Sequence, residues 1–168
     1  ERRLRSSPAE RPFHIVLVEP EIPQNTGNIG RLCAATQSVL HLVGELGFRT
    51  DEQAVRRAGL DYWHLVDMRR HPDLDACVGA IGAGRLVLLS AHAERSYLDA
   101  GFEPGDLLVF GRESVGLPRE LCERHPDRVF GIPTQGAVRS LNLANSVSIV
   151  LYEALRQTGV LSQARPAP

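Results

Sequence analysis

The sequence predicts an α/β fold with a mostly parallel sheet and helices on both faces. Short apolar runs alternate with helical patterns along most of the chain. The first three segments are predicted to be a strand, part of a helix and a second strand: His14–Val18, Gly30–Thr36 and Val39–Val43. The sequence contains no repeat with a period of about 20 to 50 residues, so a solenoid is not expected. Sheets of this class bind ligands beyond the carboxyl ends of their strands, so a site is expected in the loops there.

Further elements continue this alternation. Asp51–Ala58 is predicted to be a short helix with Thr50 or Asp51 as its cap. A longer helical pattern runs from Ser140, with apolar residues at three- and four-residue spacings, to a stop at Gly159. Three more apolar segments are predicted to be strands: Arg85–Leu89, Leu107–Phe110 and Arg128–Ile132.

The length of 168 residues predicts one domain. We assign it to residues 13–159, and we expect residues 1–12 and 160–168, which are polar and contain proline, to be loose tails. Hydrophobic residues at 43% and charged residues at 23% are typical of globular proteins and argue against a disordered chain. The net charge of −1 argues against a strongly basic nucleic-acid coat. All 19 cationic residues are arginine, which a nucleotide bias in the genome explains without any function.

No apolar run approaches the roughly 20 residues that cross a bilayer, and the first twelve residues do not resemble a signal peptide, so a cytoplasmic protein is expected. The sequence has three cysteines, an odd number, with no CxxC pair among them: Cys33, Cys77 and Cys122. We therefore expect neither a disulfide framework nor a zinc site. The histidines show no metal-ligand spacing, so no metal is expected. They are His14, His41, His64, His71, His92 and His125.

Three loops carry polar residues at the predicted strand ends. The first loop, Glu19–Arg31, is either a capped turn or an anion site at a helix start. Arg31 is expected one turn inside that helix, where its side chain reaches either a phosphate or solvent. The second, Val109–Pro118, places Gly111 where a ligand could approach the backbone. Its Glu113 either orients a substrate or accepts hydrogen bonds from loop amides.

The third segment, Gly131–Gln157, is a strand end followed by a glycine-bearing loop and a helix. Ser140 is a candidate helix N-cap. Asn142 and Asn145 are poor residues for a helix interior, so a ligand, a tight loop or an interface is expected to require them.

Together the three segments resemble the motifs of the SPOUT RNA methyltransferases. IPQNTGNIGR, LVFGRESVGLP and IPTQGAVRSLNLANSVSIVLYEALRQ are similar to that family's motifs and occur in the same order, within about Phe13 to Gly159. RAGLDYW, Arg57–Trp63, is similar to a mark of the subgroup that methylates the ribose of the tRNA wobble nucleotide, a cytidine or a modified uridine. The alternatives are the same chemistry on another tRNA or rRNA position, a non-catalytic RNA- or cofactor-binding module, and a flavodoxin-like nucleotide-binding protein.

The resemblance implies a C-terminal deep trefoil knot and S-adenosylmethionine bound in the loops of that knot. It also implies a homodimer in which the C-terminal helices pack together and both subunits contact the anticodon stem-loop. The positions that match cofactor contacts are Leu89, Gly111, Ile132, Ser140 and Leu141. The candidate RNA-binding residues are Arg31, Arg56, Arg57, Arg139 and Tyr152.

The positions that match the family's catalytic residues are Asn25, Arg31, Glu113, Ser140 and Asn142. A guanidinium, with a pKa above about 12, is a poor base. We therefore expect Arg31 to hold the substrate phosphate and stabilise the developing oxyanion, with the proton leaving through that phosphate or Ser140. Two positions depart from the family pattern without removing a catalytic match: Gln37 stands where glycine is frequent, and Ala144 where serine is common.

Overall fold

Six strands form one sheet at the centre of the molecule in a computed structural model of the chain. The description covers residues 2–51 and 53–168, without the side chains at positions 54, 56 and 59–61. In chain order the elements are β1 (Arg3–Arg5), β2 (His14–Val18), α1 (Pro23–Thr36), β3 (Val39–Val43), α2 (Gln53–Gly59), β4 (Met68–His71), α3 (Leu74–Ile81), β5 (Leu86–Leu89), β6 (Leu107–Phe110), α4 (Arg119–Arg124), β7 (Val129–Phe130), α5 (Leu143–Gln157) and β8 (Arg165–Ala167). Short 3-10 helices cover Leu60–Leu65, Tyr97–Asp99, Pro126–Arg128 and Leu161–Gln163.

The central sheet has the order β4-β3-β2-β6-β5-β7, and each neighbouring pair is parallel. In this register Leu17 lies beside Phe110, and Leu89 lies beside both Phe110 and Phe130. The carboxyl ends of β2, β6, β5 and β7 therefore emerge at one edge. The predicted α/β class with a mostly parallel sheet is confirmed.

Helices cover both faces of the sheet, which is why its strands are continuous apolar runs. On the front face, Ile29 of α1 packs in one core with Val147 and Leu151 of α5. On the back face, Cys77 of α3 and Leu121 of α4 belong to a second core. Alternate side chains along each strand supply the two cores.

The first residues of both long helices are set by local chemistry. α1 contains the predicted helical segment Gly30–Thr36 and starts at Pro23, because proline is already in helical geometry and has no amide hydrogen to satisfy. Arg31 therefore lies two turns inside α1 rather than one. α5 starts at Leu143 instead of Ser140, because Asn142 is its N-cap. The prediction of Ser140 as the cap is wrong.

Other boundaries also differ. The last sheet strand is only Val129–Phe130; Gly131 continues it as a single bridge to Ser96. α2 begins at Gln53, later than the predicted caps Thr50 and Asp51 would place it. Position 52, which lies between Asp51 and the helix, is outside the described residues. Gln37, which replaces the family's frequent glycine, ends α1 with φ 53° and ψ 35°, a left-handed conformation that favours glycine.

The two ends of the chain pair with each other. Arg3–Arg5 and Arg165–Ala167 form a two-stranded antiparallel sheet in which Leu4 lies opposite Pro166. This differs from the predicted loose tails, because backbone hydrogen bonds between the ends need no apolar side-chain pattern. None of the helices in the described parts of the chain has the length and apolar character needed to cross a bilayer.

Candidate active site

Glu113, from the loop after β6, braces the start of α1. Its Oε2 accepts the backbone N–H of Glu21 at 2.8 Å, and its Oε1 accepts that of Ile22 at 3.1 Å. Ile22 occupies the cap position of α1 and offers no side-chain acceptor, so the carboxylate from the other loop supplies one. Of the two roles considered for Glu113, contact with loop amides is the one observed.

The same two loops are tied a second time by Glu21. Its Oε1 accepts the Ser114 hydroxyl at 2.5 Å and the Ser114 amide at 3.1 Å. These hydrogen bonds lower the pKa of Glu21 below its ordinary value. Nearby, Glu19 adopts a left-handed φ of 51°, and its Oε2 lies 3.7 Å from Arg112 Nη1. The loops after β2 and β6 therefore form one connected wall.

Asn25 extends this wall to α5. Its Nδ2 donates to Glu113 Oε1 at 3.3 Å, while its Oδ1 accepts from Asn142 Nδ2 at 3.1 Å. Asn142 also caps α5 by accepting the backbone N–H of Asn145 at 3.2 Å. Three predicted catalytic residues from distant parts of the sequence thus form one chain of hydrogen bonds. The asparagine at position 142, unfavourable inside a helix, is explained by the cap.

An open depression lies beside this chain, between the first turns of α1 and α5. Its volume is about 540 Å³, within the range of about 300 to 1,000 Å³ that is typical of small-molecule sites. Five lining residues carry amide side chains and none is charged, so the depression offers uncharged donors and acceptors. It is lined by Ile22, Gln24, Asn25, Asn28, Asn142, Ala144, Asn145 and Ser148.

Three of the predicted cofactor positions lie at the ends of neighbouring strands. Leu89 ends β5, Gly111 follows β6, and Ile132 is the second residue after β7. At Gly111 a Cβ atom would lie 2.0 Å from the carbonyl carbon of Gly116, so only glycine fits there. A backbone turn, rather than a side chain, therefore forms this part of the edge.

The remaining cofactor positions, Ser140 and Leu141, belong to a segment in which residues 133–142 are all exposed. This segment leads directly into the cap of α5. Ser140 therefore lies close in sequence to Asn142 but has no helix-capping role.

Arg31 lies on the exposed surface of α1, with its guanidinium carbon 5.1 Å from the centroid of the Tyr62 ring. This cation–π contact fixes the side chain while its donors stay accessible. Gly30, next to Arg31, packs against Trp63, since a Cβ atom there would lie 2.7 Å from that ring. Tyr62 and Trp63 of the segment RAGLDYW thus pack beside Gly30 and Arg31, contacts that the sequence did not reveal.

The other predicted RNA-binding residues fall into two groups. Arg57, Arg139 and Tyr152 are exposed. The side chain of Arg56, the remaining predicted residue, lies outside the described residues.

The SpoU rRNA methylase family model matches residues 12–152. This chain belongs to that family. A curated relative from Acidovorax sp. (strain JS42), tRNA (cytidine(34)-2'-O)-methyltransferase, is 48% identical over 164 residues, 92% of this chain and 99% of the relative.

Solved structures of similar proteins agree with this membership. One, from a study of 2-OH methylation of C/U34 on tRNA, is 45% identical with a TM-score of 0.83 and covers 89% of this chain and 97% of its own. Another is the SpoU methyltransferase AviRb from Streptomyces viridochromogenes in complex with AdoMet. It is 25% identical with a TM-score of 0.78, and the match covers 89% of this chain and 62% of AviRb.

Within this SpoU family fold, the structure also assembles a cluster that the sequence did not predict. His41 Nε2 lies 2.9 Å from His14 Nδ1, and His41 Nδ1 lies 2.9 Å from His71 Nε2. Burial lowers the pKa of His41 to about 3. Cys77 is also part of the cluster. Linear spacing missed the cluster because these residues come from β2, β3, β4 and α3.

Proposed function

We propose that this chain transfers a methyl group from S-adenosylmethionine to the ribose 2′-hydroxyl of the wobble nucleotide, a cytidine or a modified uridine, in the tRNA anticodon loop. The observation that carries the proposal is the hydrogen-bonded chain of Glu113, Asn25 and Asn142 at the carboxyl edge of the sheet. It joins one residue from each of the three family motifs. The names of relatives that share 45–48% of their residues with this chain specify the nucleotide.

The strand-end loops suit S-adenosylmethionine as the methyl donor. The turn after Gly111 presents backbone rather than side chains, and Leu89 at the end of β5 and Ile132 just after β7 supply apolar side chains. A nucleoside-bearing ligand fits such a mixture of apolar surface and directed backbone polar groups. Ser140 and Leu141, in the exposed segment before α5, complete the proposed cofactor site. The cofactor supplies an electrophilic methyl group on a sulfonium.

Positioning is the main catalytic contribution that we assign to the chain itself. Glu113 and Asn142 hold Asn25, and the amide-lined depression beside Asn25 can bind ribose hydroxyls through neutral donors and acceptors. Arg31 is free to contact a phosphate because its guanidinium lies over Tyr62 at the surface. A guanidinium does not act as the base, so Arg31 stabilises the developing oxyanion while the proton leaves through the substrate phosphate or Ser140.

The RNA site that we propose uses a local positive surface, since the net charge of the chain is −1. Its members are Arg31, Arg57, Arg139 and Tyr152, all exposed, together with Arg56. Exposed Ile149 and Tyr152 on α5 give that helix an apolar strip, 37% and 46% exposed respectively. A homodimer in which two α5 helices pack together would cover this strip. Light scattering at several protein concentrations tests the dimer.

Two further parts of the proposal concern the path of the chain and the location of the protein. The C-terminal segment is proposed to pass through a deep trefoil knot, which tracing the chain in an experimental density map would test. The protein is proposed to act in the cytoplasm with tRNA as its partner, and with neither a membrane nor a metal in the methyl transfer. Imaging of the tagged protein in its own cells tests the location.

The decisive experiment is transfer of labelled methyl groups to total tRNA, followed by mass spectrometry of the digested tRNA. The expected product is a single 2′-O-methyl group on the wobble nucleotide. Methylation of another tRNA position or of rRNA would leave the chemistry in place but reject this substrate. Binding of RNA without any incorporation would instead indicate a non-catalytic module.

A further inference from the structure

A cluster of metal-ligating side chains lies on the back face of the sheet, away from α1 and α5. His41 of β3 sits beside Val16 of β2 in the register, and Val16 and Cys77 belong to the back-face core. His71 ends the neighbouring strand β4, and α3 begins three residues later. The short connection brings Cys77 over the two histidines.

The potential ligand atoms of His41, His71 and Cys77 all lie within 4.8 Å of one another. In zinc sites, metal–nitrogen bonds of about 2.0 Å and metal–sulfur bonds of about 2.3 Å in a tetrahedron place ligand atoms roughly 3.3 to 3.6 Å apart. If a metal ion bound, the 2.9 Å distance between His41 Nδ1 and His71 Nε2 would increase slightly. The longest of the distances among the three ligand atoms would decrease by about an ångström. Rotations of side chains can supply movements of this size.

Hydrogen bonding can orient His41 toward the other two candidate ligands. The His41 side chain is fully buried. If the Nε2–H of His41 donates to His14 Nδ1, the lone pair on His41 Nδ1 points toward His71. Metal-bound histidines are commonly oriented by such a second hydrogen bond.

We propose that His41, His71 and Cys77 form a binding site for one thiolate-preferring metal ion, with Zn²⁺ as its representative. Two imidazoles donate lone pairs to the ion, and the Cys77 thiol loses its proton to solvent as the sulfur–metal bond forms. A fourth position remains for a water molecule, as in other three-ligand zinc sites. The ion ties β3, β4 and α3 together and takes no part in methyl transfer.

Cobalt(II) is the probe for the first test, because thiolate coordination gives it a near-ultraviolet charge-transfer band that histidine alone does not give. Untagged, chelator-treated protein is titrated with Co²⁺ and then with Zn²⁺ in competition with a chromophoric chelator. The wild-type chain is expected to bind one ion with the thiolate band, and Zn²⁺ is expected to displace Co²⁺. Absence of the band in a folded wild-type chain would overturn the proposal.

Two alanine variants give the matched comparison. Cys77→Ala is expected to lose the band and to weaken Zn²⁺ binding by at least about a hundredfold, whereas Cys122→Ala, which removes a half-buried thiol on α4, should bind like the wild type. Equal Zn²⁺ affinity in all three proteins would also reject the site. If Cys77→Ala does not fold, His71→Gln, at a half-buried strand end, tests the same site. None of these measurements depends on methyl transfer.

Discussion

α1 and α5 begin side by side at the edge of the sheet, but their first turns are stabilised in different ways. The start of α1 has no cap of its own, and Glu113, 91 residues away from Ile22, supplies the acceptor. The start of α5 is capped locally by Asn142. One helix start therefore depends on a distant loop, and the other depends on its own sequence.

This difference divides the proposed site into two walls. The wall formed by α1 and the loop after β6 is held by several side-chain hydrogen bonds, each between residues more than 80 positions apart in the sequence. The wall formed by residues 133–141 is exposed, and among the described residues no side-chain hydrogen bond involves it. We infer that the first wall is preorganised before ligands bind, and that the side chains of the second wall adjust to them.

Glu113→Ala should have the largest effect, because it removes three hydrogen bonds to a carboxylate. We expect the free energy of unfolding to fall by about 2 to 3 kcal/mol and methyl transfer to fall about a hundredfold or more. Chemical denaturation and kcat/KM measure the two effects. Glu113→Gln, which keeps one oxygen acceptor, should lie between the wild type and the alanine variant. An alanine variant with unchanged stability would show that this wall does not depend on the brace.

Arg31→Lys should reduce methyl transfer by about thirtyfold and weaken RNA binding, because an ammonium cannot form the two parallel hydrogen bonds of a guanidinium. The free energy of unfolding should change by less than about 0.5 kcal/mol, since the side chain is exposed. Single-turnover kinetics and filter binding separate the two losses. Arg119→Lys, on the exposed surface of α4, is the control. Full activity with unchanged RNA affinity in Arg31→Lys would rule out bidentate positioning.

Ser140→Ala tests the exposed wall. We expect about a tenfold loss of methyl transfer with a change in stability below about 0.5 kcal/mol, because Ser140 does not cap α5. Asn142→Ala, which does remove the cap, should cost about 1 kcal/mol of stability. Thermal unfolding and methyl-transfer assays compare the two variants. A stability loss in Ser140→Ala equal to that in Asn142→Ala would contradict the assignment of the cap.

Gln37→Gly tests the C-terminal end of α1 and should change methyl transfer least among these variants. Glycine adopts the observed φ of 53° without strain, so we expect the free energy of unfolding to rise by about 0.5 to 1 kcal/mol. Methyl transfer should remain at the wild-type rate, because Gln37 lies at the opposite end of α1 from the site. Denaturant melts check the stability, and Gln37→Ala, which keeps the unfavourable backbone, is the control. Lower stability in the glycine variant would contradict this account of the turn.

Much of the fold could be predicted because strands and helices leave local patterns in the sequence. The strands His14–Val18 and Val39–Val43 and the end of α5 match the predicted segments. Helix starts were less predictable, since Pro23 begins α1 and Asn142 displaces Ser140 as the cap of α5. Several residues could serve as a cap, and only backbone geometry selects one of them.

The sequence by itself determined the α/β class, the strands that carry the site and the family, because these depend on local periodicity and on motifs in order. Only the tertiary structure decided that Glu113 supports α1 and that Asn25 joins Glu113 to Asn142. It also decided that His41 and His71 lie beside Cys77. Such contacts depend on strand order and register, which bring residues 30 to 117 positions apart within hydrogen-bond distance.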